Sequence, residues 1–76
     1  DKNDPFASHF IAIVHLTLAQ DEAGLQRLLI QFQKFALKAG NDLSAKFITD
    51  LLCESYIRKN NYSKAVYYQN RIARKN

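Results

Sequence analysis

The chain has 76 residues, which is enough for a single domain. Hydrophobic residues make up 47% of it, a share typical of a folded protein and too high for a disordered one. Two Gly and one Pro are too few turn residues for a small β protein, so the composition favours long helices joined by short turns. No apolar run approaches the roughly 20 residues that a membrane-spanning helix needs.

Cysteine use and charge indicate the setting and the possible partners. The single cysteine, Cys53, cannot form an internal disulfide, which favours a reducing, cytoplasmic location. The net charge is +4, and residues 41–76 carry seven basic against three acidic residues. This excess allows an acidic partner or nucleic acid. Because the chain begins with Asp1 rather than Met, we expect a processed product or a segment of a longer protein.

The first predicted helix begins at Asp4 and Pro5, a capping residue followed by a residue suited to the first helical position. Helical spacing predicts that one buried face comprises Phe6, Phe10, Ile13, Val14 and Thr17. Ala12 and Leu16 fall on the opposite side. A helix with apolar residues on two faces is usually packed on both.

The second predicted helix is capped by Asp21 and ends at Gly40, which adopts left-handed geometry without strain. Its main apolar face is predicted to comprise Leu25, Leu28, Leu29, Phe32, Ala36 and Ala39. Ile30 and Leu37 form a smaller apolar strip, and the solvated face comprises Arg27, Gln31, Lys34 and Lys38.

The third predicted helix is capped by Asp42 or Ser44 and runs to Lys59, with Asn60 and Asn61 forming a turn. Its buried face is predicted to comprise Phe47, Ile48, Leu51, Leu52, Ser55 and Tyr56. The fourth helix is predicted to bury Tyr62, Ala65, Val66, Gln69, Ile72 and Ala73. Short turns favour antiparallel neighbours, so the sequence predicts an all-α fold of two helical hairpins, at about residues 5–40 and 42–75.

One packing contact supports the second hairpin. Cys53 and Ala65 are small residues at positions where the third and fourth helices are expected to cross. Small side chains let two helices approach closely, and larger ones fill the space around the contact. The sequence therefore predicts that Tyr56 and Tyr62 are wedged around a close Cys53–Ala65 contact.

The segment LCESYIRKNNYSKAVYYQNRI, residues 52–72, resembles a tetratricopeptide (TPR) repeat. The pattern of large, small and aromatic residues is carried by Leu52, Cys53 and Tyr56, and the turn, aromatic and Ala that follow are carried by Asn60-Asn61, Tyr62 and Ala65. The preceding stretch KFALKAGNDLSAKF extends the resemblance back to residue 36, in a longer variant with units of about 40 residues. Residues 6–35 match this pattern only as a degenerate repeat.

The resemblance implies right-handed stacking of hairpins and an inner groove that binds a peptide or protein segment. It places Phe47, Asp50, Glu54, Ile57 and Arg58 on the groove side of the third helix. One class of TPR protein holds a C-terminal carboxylate with Lys and Asn at such positions, but here Asp50 and Glu54 stand there. The resemblance therefore argues against docking of that kind.

Candidate catalytic and metal-binding residues are better explained as structural. His9 and His15 lie about 120° apart around a helix and cannot share a metal or a proton path. Cys53 suits a packing position, and no acidic residue is evident that would complete a triad with Ser8 and His9. We expect no enzyme activity, no cofactor and no metal.

Four functions remain open after this reasoning, the fourth being an N-terminal helical adaptor of a larger ATPase, whose parent chain would carry a phosphate-binding loop. The first is a protein-interaction scaffold or adaptor that uses the third helix together with Tyr67, Arg71 and Arg74 of the fourth. The second is a small chaperone or assembly subunit, which would work with a protein partner or in an oligomer. The third is nucleic-acid binding through the basic fourth helix, because cations with nearby tyrosines can hold phosphates and stack on bases. The cations in question are Lys64, Arg71, Arg74 and Lys75.

Overall fold

A computed structural model describes the backbone of residues 5–75 and the side chains of residues 6–71. This part of the chain forms four α-helices and no strand, which confirms the all-helical prediction. They are α1 (Pro5–Leu18), α2 (Glu22–Lys38), α3 (Asp42–Arg58) and α4 (Tyr62–Lys75). Each helix packs against the next one in the chain. The Cα atoms occupy a flat volume of 36 × 33 × 13 Å, so both broad sides of the molecule are accessible.

The three turns between the helices have the same structure. A residue in left-handed conformation ends each helix, and the three are Gln20, Gly40 and Asn60, with φ of 57°, 75° and 60°. In each turn the next N–H bonds back to a carbonyl five residues earlier, as from Asn41 to Ala36 at 2.9 Å. This is the Schellman arrangement that commonly ends helices. Its recurrence places the three left-handed residues 20 positions apart.

A capping side chain follows each left-handed residue. Asp21 accepts a hydrogen bond from the Gly24 N–H at 3.0 Å, as predicted. For α3 the prediction of Asp42 or Ser44 is wrong, because the cap is Asn41, which accepts from the Ser44 N–H at 3.1 Å. Asn41 has the non-helical backbone that a cap requires, whereas Asp42 and Ser44 lie inside the first turn.

The core lies between the two central helices. Leu29, Phe32 and Ala36 of α2, together with Ala45, Ile48 and Leu52 of α3, are fully buried. Ile30 and Leu37 also pack against this core, so the predicted smaller strip of α2 is partly buried. Ala39 is exposed, contrary to prediction, because it is the C-cap of α2 and the chain turns away there.

A polar pair is buried in the same interface, and the sequence analysis missed it. The Gln33 side-chain N–H donates to the Thr49 hydroxyl at 2.7 Å, and that hydroxyl donates to the Ala45 carbonyl at 2.7 Å. The Gln33 Oε1 atom is buried and has no hydrogen-bond partner. An unsatisfied buried oxygen is a cost to stability, so this pair does not strengthen the core by hydrogen bonding alone.

Helix α1 is rotated relative to its predicted orientation. Val14 is 55% exposed and Thr17 is exposed, whereas Leu16, predicted on the opposite side, packs against the core. The reason is a cluster of rings: the Phe6 and His9 rings lie 5.4 and 4.5 Å from that of Phe32. Stacking of His9 on α2 turns α1 so that its uncharged outer side faces solvent.

Helix α4 is also rotated. Of its predicted buried face, Ala65 is buried, whereas Tyr62, Val66 and Gln69 are exposed; Ile72 and Ala73 lie outside the described side chains. Tyr68 is buried instead, because its ring stacks parallel to that of Tyr56 at 5.8 Å.

The predicted crossing of α3 and α4 is otherwise confirmed. Cys53 and Ala65 are 5% and 6% exposed, and the Cys53 thiol donates to the Ala65 carbonyl at 3.3 Å. Tyr56 packs beside this contact, but Tyr62 does not, since its hydroxyl donates outside the crossing to the Asn60 side chain at 3.2 Å. Tyr68 takes the place predicted for Tyr62.

Candidate interaction surfaces

Most of the predicted groove residues of α3 lie on one side of the helix. Phe47, Asp50, Glu54 and Ile57 fall within an arc of about 80° around its axis. Phe47 is 50% exposed and Ile57 is 48% exposed. The prediction that Phe47 belongs to the buried face of α3 is therefore wrong. The buried residues of α3 face α2 and α4, whereas Phe47 lies on a side that neither of these helices covers.

This side of α3 continues onto α1. The Phe10 ring, 37% exposed, lies 6.0 Å from the Phe47 ring. Val14 is one turn further along α1, and Leu43, 82% exposed, lies within the same arc of α3 as Phe47. We call this area the α1–α3 surface, formed by Phe10, Val14, Leu43, Phe47, Asp50, Glu54 and Ile57.

The acidic residues of the α1–α3 surface differ in their surroundings. Asp50 accepts a hydrogen bond from the Gln69 side chain at 3.2 Å and pairs with Lys46 at 3.8 Å. Glu54 is exposed and has no ion pair among the described side chains. Glu54 thus keeps a solvent-exposed charge that acts on Arg58 only from a distance, whereas the charge of Asp50 is partly neutralised.

Arg58, predicted on the groove side, lies instead at its edge and binds α2. Its guanidinium donates two hydrogen bonds to the Glu22 carboxylate, at 3.2 and 2.9 Å. The Ser55 hydroxyl donates to the same carboxylate and accepts from the Gln26 side chain at 3.0 Å. The bonds from Arg58 and Ser55 lower the pKa of Glu22. Arg58 therefore joins α3 to the start of α2.

The lowered pKa of Glu22 predicts a pH-dependent stability. A carboxyl whose pKa is depressed by folding stabilises the protein above its unfolded pKa of about 4.3, and this contribution is lost as pH falls through the folded pKa. We expect Glu22→Gln to remove about 0.5–1 kcal/mol at pH 7 and much less at pH 3, measured by urea unfolding. Glu54→Gln is the control, and an equal change in both variants would contradict the assignment.

A second exposed surface lies on α4. Tyr67 is 55% exposed, and its ring lies nearly perpendicular to that of Tyr68, with the ring centres 5.0 Å apart. The Arg71 guanidinium lies 5.8 Å from the centre of the Tyr67 ring, and the Lys64 ammonium lies 6.0 Å from that of Tyr56. A surface pocket of about 420 Å³ is lined by Ser63, Lys64, Tyr67 and Tyr68. We call Ser63, Lys64, Tyr67, Tyr68 and Arg71 the α4 patch; the side chain of Arg74 lies outside the described part.

The α4 patch does not join the α1–α3 surface. Gln69 contacts Asp50, whereas Lys64 contacts Tyr56. Asp50 and Tyr56 are six residues apart and so point about 120° apart around α3. The two contacts therefore lie on different sides of the α3–α4 pair. The structure therefore divides the predicted partner-binding residues between two surfaces, with Phe47, Asp50, Glu54 and Ile57 on one and Tyr67 and Arg71 on the other.

The candidate reactive residues are built into the packing. His9 stacks on Phe32 and Phe35 with ring centres 4.5 and 5.9 Å apart. Burial, together with the charge of Asp50, raises the pKa of the Cys53 thiol, which opposes formation of the reactive thiolate. In the part of the chain that the structure describes, no cluster of three or more His, Cys, Asp or Glu side chains is arranged to hold a metal ion.

Several exposed apolar residues escaped the sequence analysis. Leu43 and Leu18 are 82% and 78% exposed, and Ile11 is 60% exposed. For α1, the sequence did contain a sign of this exposure. Residues 5–18 include no Asp, Glu, Lys or Arg, so the side of α1 that α2 does not cover is also uncharged.

No helix among the described residues has the length and apolar character needed to cross a membrane. Comparisons with protein-family models, with curated proteins and with solved structures find no match.

Proposed function

We propose that this chain is a TPR-like protein-interaction module that binds a segment of a partner protein on the α1–α3 surface and catalyses no reaction. The proposal includes two antiparallel hairpins, α1 with α2 and α3 with α4, stacked in a right-handed sense. The observation that carries it is the contact between Phe10 and Phe47, which joins exposed apolar side chains of two helices into one surface.

The contacts between helices support the antiparallel arrangement. Gln26 near the start of α2 bonds to Ser55 near the end of α3, whereas Gln33 further along α2 bonds to Thr49 earlier in α3. Residues that pair in opposite order belong to helices running in opposite directions. For α3 and α4, Cys53 pairs with Ala65, and the earlier Asp50 pairs with the later Gln69.

Exposed apolar side chains are the main support for binding. Single exposed apolar residues are normal, but a joined set on two helices is typical of an interaction site. Aromatic residues such as Phe10 and Phe47 are the kind of side chain that dominates binding energy once a partner excludes water. The unpaired Glu54 carboxylate at the margin favours a partner segment that also carries a basic residue.

The test is selection of binding peptides from a random displayed library against the purified chain. We expect selected peptides to carry apolar anchors, and Phe47→Glu to weaken their binding by about tenfold or more, since it buries a charge at the centre of the surface. Tyr67→Glu, at a residue exposed to a similar degree on the other surface, should leave the binding of these peptides unchanged, and any peptide whose binding it weakens is assigned to the α4 patch instead. Failure to select any peptide, or equal binding by Phe47→Glu, would contradict the proposal.

Two related functions compete with this one. A small chaperone or assembly subunit would use the same surface for one permanent partner, and so would be purified as a heterodimer of fixed composition. Nucleic-acid binding is favoured by a different observation, the grouping of Lys64 and Arg71 with tyrosine rings.

A cytoplasmic location is part of the proposal, supported by a single buried cysteine that has no disulfide partner.

A further inference from the structure

We infer that the α4 patch is a second docking site, which binds an acidic segment of a partner protein and takes one of its apolar side chains into the pocket beside Tyr67. The inference deepens the proposed function by naming the chemistry of a partner, and it rests on that function only in treating the chain as a protein-binding module. The site itself is separate from the α1–α3 surface.

The distribution of charge points to an acidic partner. Residues 62–75, which form α4, contain four basic and no acidic residues, and the remaining seven basic and seven acidic residues of the chain cancel. The excess positive charge of the whole chain is therefore concentrated on one helix. Lys46 and Arg58 form ion pairs on α3, whereas Lys64 and Arg71 have no acidic partner among the described side chains. Such uncompensated cations favour a ligand of opposite charge.

The position of Lys64 is not explained by the stability of the helix. Lys64 is in the first turn of α4, where its N–H meets the Asn61 cap at 3.4 Å. The first turn is the positive end of the helix dipole, so a cation there is unfavourable and an acidic residue would be preferred. Basic residues near the end of a helix need no functional explanation, but Lys64 is at the beginning.

The pocket supplies the apolar part of the recognition. Its lining combines the Lys64 side chain and the rings of Tyr67 and Tyr68, and its volume of about 420 Å³ accommodates a large side chain. Lys64 and Arg71 are two helical turns apart, about 10 Å along the axis. An extended segment rises about 3.3 Å per residue, so carboxylates three residues apart span the same distance. A short acidic segment with an apolar residue between its carboxylates thus fits the patch.

The tyrosine rings favour a protein segment over nucleic acid. Binding of single strands relies on aromatic faces that are free to stack on bases. Here the Tyr56 and Tyr68 rings stack on each other, and Arg71 occupies one face of Tyr67. The exposed edge of the patch offers hydroxyls and cations, which suit carboxylates.

Fluorescence anisotropy with a labelled peptide of six glutamates around one phenylalanine tests the inference. We expect the double variant Lys64→Glu/Arg71→Glu to weaken binding by about tenfold or more, because two attractive charges become repulsive. The double variant Lys34→Glu/Lys38→Glu changes the net charge equally on exposed positions of α2 and should change binding by less than about threefold. Replacing the peptide's phenylalanine by alanine should also weaken binding.

Several results would overturn the inference. Equal losses in the two double variants would mean that only net charge matters, and no effect of the peptide's phenylalanine would remove the role of the pocket. Tighter binding of a single-stranded oligonucleotide with the same dependence on Lys64 and Arg71 would assign the patch to nucleic acid.

Two controls show that the site is separate and that the variants fold. Peptide binding that survives Phe47→Glu would separate this site from the α1–α3 surface. Because Lys64→Glu places an acidic residue at a helix start, an unchanged melting temperature would show that lost binding is not lost folding.

Discussion

Replacing Phe32 by alanine should lower the free energy of unfolding by about 3–5 kcal/mol, which is comparable with the whole stability of a small domain. Phe32 is fully buried in α2. Its ring contacts the rings of Phe6, His9 and Phe10 at 5.4, 4.5 and 5.2 Å. No other described side chain makes ring contacts with three residues of α1, so alanine would leave a cavity and remove three of the ring contacts that hold α1 on α2.

Phe35→Ala is the matched control for this prediction. Phe35 is the same type of residue, three positions further along α2, and its ring also lies near those of Phe6 and His9 at 5.2 and 5.9 Å. It is 36% exposed, however, so less surface leaves water and the cavity opens to solvent. Guanidinium unfolding should show a loss of about 1 kcal/mol for Phe35→Ala. Equal losses for the two variants would mean that α1 is not anchored at Phe32.

The anchoring of α1 also affects the proposed binding surface. Phe10 contacts Phe32 on one side and Phe47 on the other. A chain in which α1 has separated from α2 would lose the α1 half of the α1–α3 surface while keeping Phe47 in place. Hydrogen exchange of α1 amides that is faster in Phe32→Ala than in Phe35→Ala would show this partial opening directly.

The helix boundaries were predictable from sequence because they depend on local chemistry. Gly40 and Asn60 adopt left-handed geometry readily, and Asp21 caps the helix that follows. Gln20 also ends a helix in left-handed conformation without any preference of its own. That turn was located through the Asp21 cap alone, and the sequence did not predict that the same turn structure recurs three times.

The orientations of the outer helices were not predictable in the same way. Spacing identifies an apolar arc, but α1 and α4 each have apolar residues on more than half of their circumference, and spacing cannot say which arc faces the neighbour. Contacts between rings set the orientations of both helices. Stacking of His9 on Phe32 orients α1, and stacking of Tyr68 on Tyr56 orients α4. Histidine has an apolar body with a polar tip, so a count of apolar residues omits His9, and spacing alone did not favour Tyr68 over Tyr62.

The buried Gln33 was missed for a similar reason. A glutamine on a helix is normally assigned to solvent, and Gln33 is buried only because Thr49 of α3 lies opposite it. The candidate site was predicted in part, because the positions on α3 follow from helical geometry. What the sequence did not reveal is that Phe10 joins that surface and that Tyr67 and Arg71 lie away from it, since both depend on contacts between helices.

Enlarging Ala65 to leucine should destabilise the chain by about 1–3 kcal/mol through overpacking at the crossing of α3 and α4. Ala65 is 6% exposed, and its carbonyl accepts a hydrogen bond from the Cys53 thiol at 3.3 Å. The backbones of α3 and α4 are therefore too close at this point to admit a larger side chain. The helices would have to separate, which would also expose Cys53. We therefore expect faster reaction of Cys53 with a thiol reagent, in addition to a lower midpoint in urea.

Val66→Leu is the control that separates the crossing from the helix as a whole. Val66 is the next residue of α4 and is 58% exposed, so leucine there should change stability by less than about 0.5 kcal/mol and leave the thiol reaction unchanged. Adding Cys53→Ala to Ala65→Leu should restore part of the lost stability if the two side chains compete for the same space, because mutations at contacting residues are not additive. Full additivity would mean that the side chains of Cys53 and Ala65 do not compete for space, so that these small residues do not set the distance between α3 and α4.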